Sequence, residues 1–232
     1  MSLKLNMLPP SVNNMSVRVF VRAAGLPFEE ENVWGKTHSE EYTAKCPSQL
    51  TPSVESDELP RGLLWESCAV MMYLAGREGR GDLYPTDPKR RAMVDSANFY
   101  TVSMLYPLVA RATYPRLGFA GYPGEVSTSD ASDEEKEAAR AAAEGALPRM
   151  LEVYRRFFFT DAGFIGGDRP TIADIRLAST LEFLTVTDGG LPDWATEYLE
   201  RVESALGDAY SEPAADVRGY IAQATGQAVV AR

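Results

Sequence analysis

The hydrophobic periodicity of this chain changes once, near residue 80, and that change limits its fold more than any other feature. Residues 1–78 alternate between short segments with the two-residue period of β-strands and segments with helical spacing. From residue 89 onward, only helical spacing remains. The Gly- and Pro-rich segment 79–88 has no periodicity, which is typical of a linker. The sequence therefore predicts an α/β domain followed by an all-helical domain.

The order of elements predicted in the first domain is strand, helix, strand, helix, strand, strand, helix. Leu3, Leu5 and Met7 alternate with polar residues, which favours a half-buried strand. The short strands at 53–56 and 63–65 flank a polar turn, which indicates a β-hairpin. This order predicts a mixed four-stranded sheet. Helices are predicted at 15–24, from 39, at 67–75, 89–109 and 133–159, after 171, and at about 192–206 and 213–224.

A capping box is predicted where the sequence reads RPTIAD. Thr171 has the position of the helix N-cap, and Asp174 follows it by three residues. The carboxylate of Asp174 is expected to accept a hydrogen bond from a backbone N–H group at the start of the helix. A second capping composition occurs at Ser132, before Asp133.

Charge and composition exclude several classes of partner. The chain has 23 Lys and Arg residues against 33 Asp and Glu residues, a formal net charge of −10, which repels nucleic acids and anionic membranes. The longest apolar run, residues 68–75, is too short to span a membrane, and the N-terminus lacks the features of a secretory signal. The two cysteines are expected to be reduced. These observations predict a cytoplasmic protein.

A single histidine, His38, limits the chemistry further. Zinc sites with two histidine ligands cannot be built from this chain, and a catalytic triad would have to use His38. That residue lies in the polar stretch GKTHSEE, which is typical of a loop. We therefore expect no metal site and no histidine-based triad.

Residues 49–75 contain the most informative pattern. Pro52 has no N–H group, so the backbone N–H and C=O of Thr51 are expected to stay unpaired. A cis Thr51–Pro52 bond would direct them outward, where an extended peptide can pair with them. Glu66 and Ser67 begin a helix, whose N-terminus favours a carboxylate, while the Glu66 carboxylate suits an ammonium group. Two interpretations stay open: a clamp for the zwitterionic end of an amino acid, or a helix cap.

The segments LTPSVE and WESCAVMMYLA together resemble the pattern VPxL(E/D)…ESxAIxxYLA of the glutathione transferase N-terminal domain. LPPSVNNMSVRVFVRAAGLPFE is similar to the family's first strand and helix, and GGDRPTIADI to the capping box of its helical domain. These segments occur in the family's order from about residue 3 to residue 180. The resemblance, which is to theta-like, serine-type members, implies a thioredoxin-like domain at 1–78, a linker at 79–88 and a helical bundle at 89–232.

The resemblance also implies a glutathione site. Ser11 matches the serine that donates a hydrogen bond to the glutathione sulfur, and Asn13 a second donor. The run SVNNMS allows a shift of one or two residues, so Asn14 stays open as well. The implied substrate-binding residues are His38 and Leu50 near the glycine carboxylate, Thr51 and Pro52 at the cysteinyl backbone, and Glu66 and Ser67 at the γ-glutamyl group.

The chemistry implied is activation of the glutathione thiol. A free thiol has a pKa of about 8.5, and hydrogen bonds to its sulfur favour the thiolate. Lowering that pKa by two units corresponds to about 2.7 kcal/mol of preferential stabilisation of the thiolate. The thiolate would attack a small, electrophilic and apolar second substrate, in conjugation or a related dehalogenation, reduction or isomerisation. Tyr106, Arg111 and Tyr114 are candidates for the acceptor pocket, although aromatic residues at helical spacing are also typical of a core.

Two positions depart from the family pattern. Cys46 stands where the family usually has asparagine, and Leu50 where a lysine often lies, so Leu50 would contribute only through its backbone. These departures keep an alternative open, a glutathione transferase-like domain that serves as a non-catalytic binding or scaffold module. The resemblance also implies a homodimer.

Overall fold

A computed structural model describes residues 3–121 and 125–226 of the chain. Its first part holds four strands and three helices in the predicted order. The strands are β1 (Leu3–Met7), β2 (Phe28–Asn32), β3 (Ser53–Glu55) and β4 (Leu63–Trp65). The helices are α1 (Val12–Ala23), α2 (Glu40–Lys45) and α3 (Ser67–Arg77).

The strands form one sheet in the order β2-β1-β3-β4. β1 pairs in parallel with β2, with Leu3 opposite Phe28, and antiparallel with β3, with Leu5 opposite Val54. β3 and β4 pair antiparallel as a hairpin. The prediction of a mixed four-stranded sheet is therefore confirmed. β1 is an interior strand of this sheet, and its apolar side chains are buried in a core shared with α1 and α3.

The rest of the described chain is helical, as predicted. Two π-helical segments, 101–105 and 154–158, follow α4 and α6. These elements share one large apolar core with the sheet. The helices are α4 (Pro88–Tyr100), α5 (Tyr106–Leu117), α6 (Asp133–Val153), α7 (Ile172–Glu182), α8 (Asp193–Leu206) and α9 (Asp208–Thr225).

Some predicted helix boundaries are wrong. The helix predicted at 89–109 contains the π-helical segment 101–105 and continues to Leu117. The π turn lies just before Pro107, where the missing N–H interrupts the regular hydrogen-bond pattern. Helix α9 begins at Asp208 and contains Pro213, because Tyr210 is fully buried in the core and draws the preceding turn into the helix.

Both predicted caps are present, in different surroundings. Ser132 and Glu135 form a capping box at the exposed start of α6. Thr171 and Asp174 form the other at the start of α7, where Asp174 is fully buried and accepts from Thr171 N at 2.8 Å. The second box therefore belongs to the core.

The sheet-bearing part packs against the helical part through α1, which contacts α7 and α9. Arg18 is buried and donates to Glu30 and Asp216, each at 2.8 Å, while Arg22 donates to Glu30 at 2.8 Å. Burial opposes ionisation of Glu30, but hydrogen bonds from the two arginines lower its pKa below the usual value. The predicted division at residues 78 and 88 stays a prediction, and residues 1–2, 122–124 and 227–232 of the two predicted domains lie outside the described chain.

Candidate glutathione site

A cleft of about 390 Å³ lies where the two parts of the molecule meet. The sheet-bearing part contributes Thr51, Glu66 and their neighbours, and the helical part contributes the opposite wall. The cleft therefore brings together residues that are far apart in the sequence. Its lining residues are Asn13, Leu50, Thr51, Pro52, Glu66, Ser67, Val102, Tyr106, Pro107, Glu125 and Arg176.

Thr51 presents open backbone groups to this cleft. The Thr51–Pro52 bond is cis, and β3 begins only at Ser53. Within residues 3–121 and 125–226, neither the N–H nor the C=O of Thr51 has a hydrogen-bond partner. Its side chain is held by Asn14, whose Nδ2 donates to Thr51 Oγ1 at 3.1 Å. The cis bond and the open backbone groups of Thr51 are therefore present, and the pairing of a peptide with them stays a prediction.

The carbonyl of Leu50 is used inside the protein. Tyr42 donates from its hydroxyl to Leu50 O at 2.7 Å. Burial raises the pKa of Tyr42 to about 12, so this donor keeps its proton at neutral pH. The buried thiol of Cys46 lies 3.6 Å from the same carbonyl. Cys46, one of the departures from the family pattern, thus helps to shape the loop that presents Thr51.

Glu66 has an unusual backbone conformation at the start of α3. Its φ is 72°, a left-handed value that is uncommon for a residue with a side chain. The Glu66 side chain makes no capping hydrogen bond, and its carboxylate has no ion-pair partner in the described part of the chain. Ser67 is buried at the first helical position and lines the cleft beside Glu66. Glu66 therefore does not cap the helix, and its carboxylate is available to a ligand.

Asn13 is the polar residue of α1 that reaches the cleft. Its Nδ2 donates to the hydroxyl of Tyr106 at 2.9 Å, and its Oδ1 accepts from Arg176. The hydroxyls of Tyr106 and Tyr114 lie 2.6 Å apart. Because a side-chain amide has two N–H groups, one N–H of Asn13 remains for a ligand.

The other predicted site residues lie at or behind the rim. Ser11 is the half-buried N-cap of α1, does not line the cleft, and makes no capping bond through its hydroxyl. His38 is exposed, and its Nδ1 lies 2.7 Å from Gln49 Oε1, next to Leu50. Arg111 hydrogen-bonds Glu125 at 2.5 and 2.7 Å, which lowers the pKa of Glu125 and raises that of Arg111. Arg111 therefore does not line the cleft itself, but it contacts Glu125, which does.

Sequence reasoning missed four lining residues: Val102, Pro107, Glu125 and Arg176. A signal existed for Arg176, since it is a charged residue inside the otherwise apolar run that follows the capping box. Cys68, on α3 next to Ser67, is half-buried and its sulfur lies 3.6 Å from Asn98 Oδ1. Burial raises the pKa of the Cys68 thiol, so it stays protonated.

Among residues 3–121 and 125–226, no group of three His, Cys, Asp or Glu side chains is arranged to hold a metal ion. No helix in these ranges is long and apolar enough to cross a membrane.

Comparison with known proteins decides the family. The model of the glutathione S-transferase N-terminal domain matches residues 1–76, and that of the C-terminal domain matches residues 137–209. The chain belongs to the glutathione S-transferase family. One model matches the sheet-bearing part and the other matches a segment of the helical part, which confirms the family predicted from the sequence motifs.

Individual relatives of this glutathione transferase agree with the family models. It is 32% identical to glutathione S-transferase 1 of Manduca sexta over 48% of this chain and 51% of the relative. It is 28% identical to glutathione S-transferase D7 of Anopheles gambiae over 75% and 72% of the two chains. A glutathione transferase homologue from Sulfitobacter, solved with bound glutathione, shares the fold with a TM-score of 0.74 at 18% identity, over 91% of this chain and 96% of that one.

Proposed function

We propose that this glutathione transferase binds glutathione in an extended form along the cleft. The cysteinyl backbone pairs with Thr51, and the γ-glutamyl end is held at Glu66 and Ser67. The observation that carries this proposal is that three residues with open groups line one cleft: Thr51 with its backbone, Glu66 with a carboxylate that no described residue pairs with, and Asn13 with one N–H. The Sulfitobacter homologue, with its bound glutathione, supports the assignment of the ligand.

The sulfur faces Asn13 in this arrangement. A hydrogen bond from its remaining N–H favours the thiolate over the thiol. The opposite wall, formed by Val102, Tyr106 and Pro107, is largely apolar and suits a small apolar electrophile. The thiolate attacks the electrophilic carbon, a carbon–sulfur bond forms, and the leaving group departs with the electron pair of its bond. His38 and Leu50 stay assigned to the glycine end, and Arg111 and Tyr114 to support of the acceptor wall.

Ultraviolet titration of the thiol of bound glutathione identifies the residue that donates a hydrogen bond to the sulfur. We expect the wild-type protein to lower the thiol pKa clearly below its free value of about 8.5. Asn13→Ala is expected to raise it by about one unit, equivalent to about 1.4 kcal/mol, because the donor is lost. Ser11→Ala, the matched small change at the N-cap of the same helix, is expected to shift it less.

Two outcomes count against these assignments. A pKa that responds to Ser11→Ala and not to Asn13→Ala would transfer the donor role to Ser11. Absence of glutathione binding by calorimetry in the wild-type protein would reject the proposed function itself.

We also infer that two copies of the enzyme associate as a homodimer. Phe99, Met104 and Phe157 are large apolar side chains that are 63%, 49% and 62% exposed. They lie on α4 and on the two π-helical segments, and α4 packs beside segment 154–158. Exposed apolar side chains on neighbouring elements are typical of protein interfaces.

Analytical ultracentrifugation at micromolar concentration tests the dimer. The wild-type protein is expected to sediment as a dimer and Phe157→Glu as a monomer, because a charge would be buried in the interface. Val126→Glu, a change at another exposed apolar residue, is expected to leave the dimer intact. A monomeric wild-type protein would reject this inference.

The setting that we infer is the cytoplasm. Both cysteines, Cys46 and Cys68, are free thiols, as is usual in a reducing compartment. Conjugation of glutathione to electrophiles in that compartment would serve detoxification.

A further inference from the structure

Arg176 is a buried cation that has no anionic partner among the described residues. Arg18 and Arg140 are also buried, but each pairs with carboxylates, Arg140 with Glu137 and Glu144. Arg176 is only 1% exposed, and no carboxylate of the described residues forms an ion pair with it. Burying a charge without a partner is costly, so an arginine in this position calls for an anion that the protein chain itself does not provide.

The contacts of Arg176 leave its charge uncompensated. One terminal nitrogen donates to Thr180 Oγ1 at 2.5 Å and the other to Asn13 Oδ1, and both acceptors are neutral. The guanidinium carbon lies 4.7 Å from the centre of the Tyr106 ring, a cation–π contact. The Nε–H has no hydrogen-bond partner in the described part of the chain. Arg176 lines the cleft, so its charge is felt where the ligand binds.

The other charged groups of the cleft do not neutralise Arg176. Glu125 is already paired with Arg111, and Glu66 has no ion pair with any described residue. Nearby Cys68 is a protonated thiol because burial raises its pKa. Tyr154 is likewise held neutral, since burial raises its pKa far above the usual value. The anion must therefore come from the ligand.

We propose that Arg176 is the counter-ion of the glutathione thiolate and positions Asn13 against it. The inference rests on the proposed function, which places the sulfur at Asn13. The guanidinium favours the charged sulfur through its field, which is strong in a buried site. Its hydrogen bond to Asn13 Oδ1 also fixes the orientation of the amide, so that an N–H and not the oxygen faces the sulfur.

The test compares Arg176→Met and Arg176→Lys with the wild-type protein in two measurements. The first is the pKa of the bound glutathione thiol by ultraviolet titration. The second is the calorimetric affinity for S-methylglutathione, which has the same carboxylates but no ionisable sulfur. Arg77→Met serves as the control for loss of one positive charge, since Arg77 lies ten residues and about 15 Å along α3 from Ser67.

We expect Arg176→Met to raise the pKa of the bound thiol by at least one unit. At a pH below this pKa, the fraction of bound glutathione present as the thiolate then falls about tenfold. Its affinity for S-methylglutathione is expected to change less than threefold. Arg176→Lys keeps the charge and is expected to recover most of the pKa shift, while Arg77→Met matches the wild-type protein in both measurements.

An unchanged thiol pKa in Arg176→Met overturns the inference. A large and equal loss of affinity for glutathione and S-methylglutathione also overturns it, because Arg176 would then bind a carboxylate. Failure of the wild-type protein to bind glutathione is a different result, which rejects the proposed function. If Arg176→Met does not fold, the wild-type protein is titrated with the sulfonate analogue of glutathione, and an affinity no higher than that for S-methylglutathione overturns the inference.

Discussion

Asp174→Ala is expected to lower the free energy of unfolding by about 3–5 kcal/mol. The fully buried carboxylate of Asp174 accepts from Thr171 N at 2.8 Å, Ile165 N at 2.9 Å and the Tyr198 hydroxyl at 2.8 Å. Alanine removes the acceptor of all three donors, which remain buried and unpaired. Equilibrium unfolding in urea measures the loss.

The second capping box provides the control. Ser132→Ala removes the cap of α6 in an exposed position, where water can replace the lost hydrogen bond. Its expected cost is about 0.5–1 kcal/mol. Equal costs at the two boxes would show that Asp174 acts only as a helix cap and not as a hub of the core.

The cost of Asp174→Ala also depends on pH. Burial raises the pKa of Asp174 to about 6, against the opposing hydrogen bonds. The folded protein therefore binds more protons than the unfolded chain between the unfolded pKa of about 3.9 and pH 6, so the contribution of Asp174 to stability falls as the pH rises through that range. The difference between wild type and variant is expected to be larger at pH 5 than at pH 7, and a difference that grows with pH contradicts this.

Glu66→Gln and Ser67→Ala are each expected to weaken glutathione binding by about 10- to 100-fold, as for the loss of a hydrogen bond to a charged group. The Glu66 carboxylate has no ion pair in the described chain. The loss of affinity in Glu66→Gln is therefore expected to come from the lost contact with the ammonium group of the ligand. Ser67 opens α3, where its hydroxyl and the helix N-terminus favour the ligand carboxylate. Isothermal titration calorimetry measures both affinities.

A truncated ligand separates the clamp from general damage to the cleft. Cysteinylglycine lacks the γ-glutamyl group, so its affinity is expected to be the same in Glu66→Gln, Ser67→Ala and wild type. Glu58→Gln, an exposed glutamate that pairs with Arg77, is the matched charge control and is expected to bind glutathione normally. If the two variants lose affinity for glutathione and for cysteinylglycine equally, Glu66 and Ser67 do not bind the γ-glutamyl group.

Much of the fold was predictable because it depends on local rules. Alternation of apolar residues identified β1, a polar turn indicated the hairpin of β3 and β4, and proline explained the unpaired backbone of Thr51. Helix boundaries were predicted less well, as at Pro107 and Pro213, because packing tolerates prolines that local preference would exclude. The family motifs placed Thr51, Glu66 and Ser67 in one site, and all three line the cleft.

The residue pattern alone thus determined the order of strands and helices, the cap at the start of α7 and the open backbone groups before Pro52, since each follows from neighbours in the chain. It did not distinguish Ser11 from Asn13, and it gave Arg176 no role. Both matters depend on the packing of α1 against α7, which joins Asn13 to Arg176, a residue 163 positions away in the sequence. Only the tertiary structure brings this buried charge to the cleft, because no local rule specifies which distant side chains will meet.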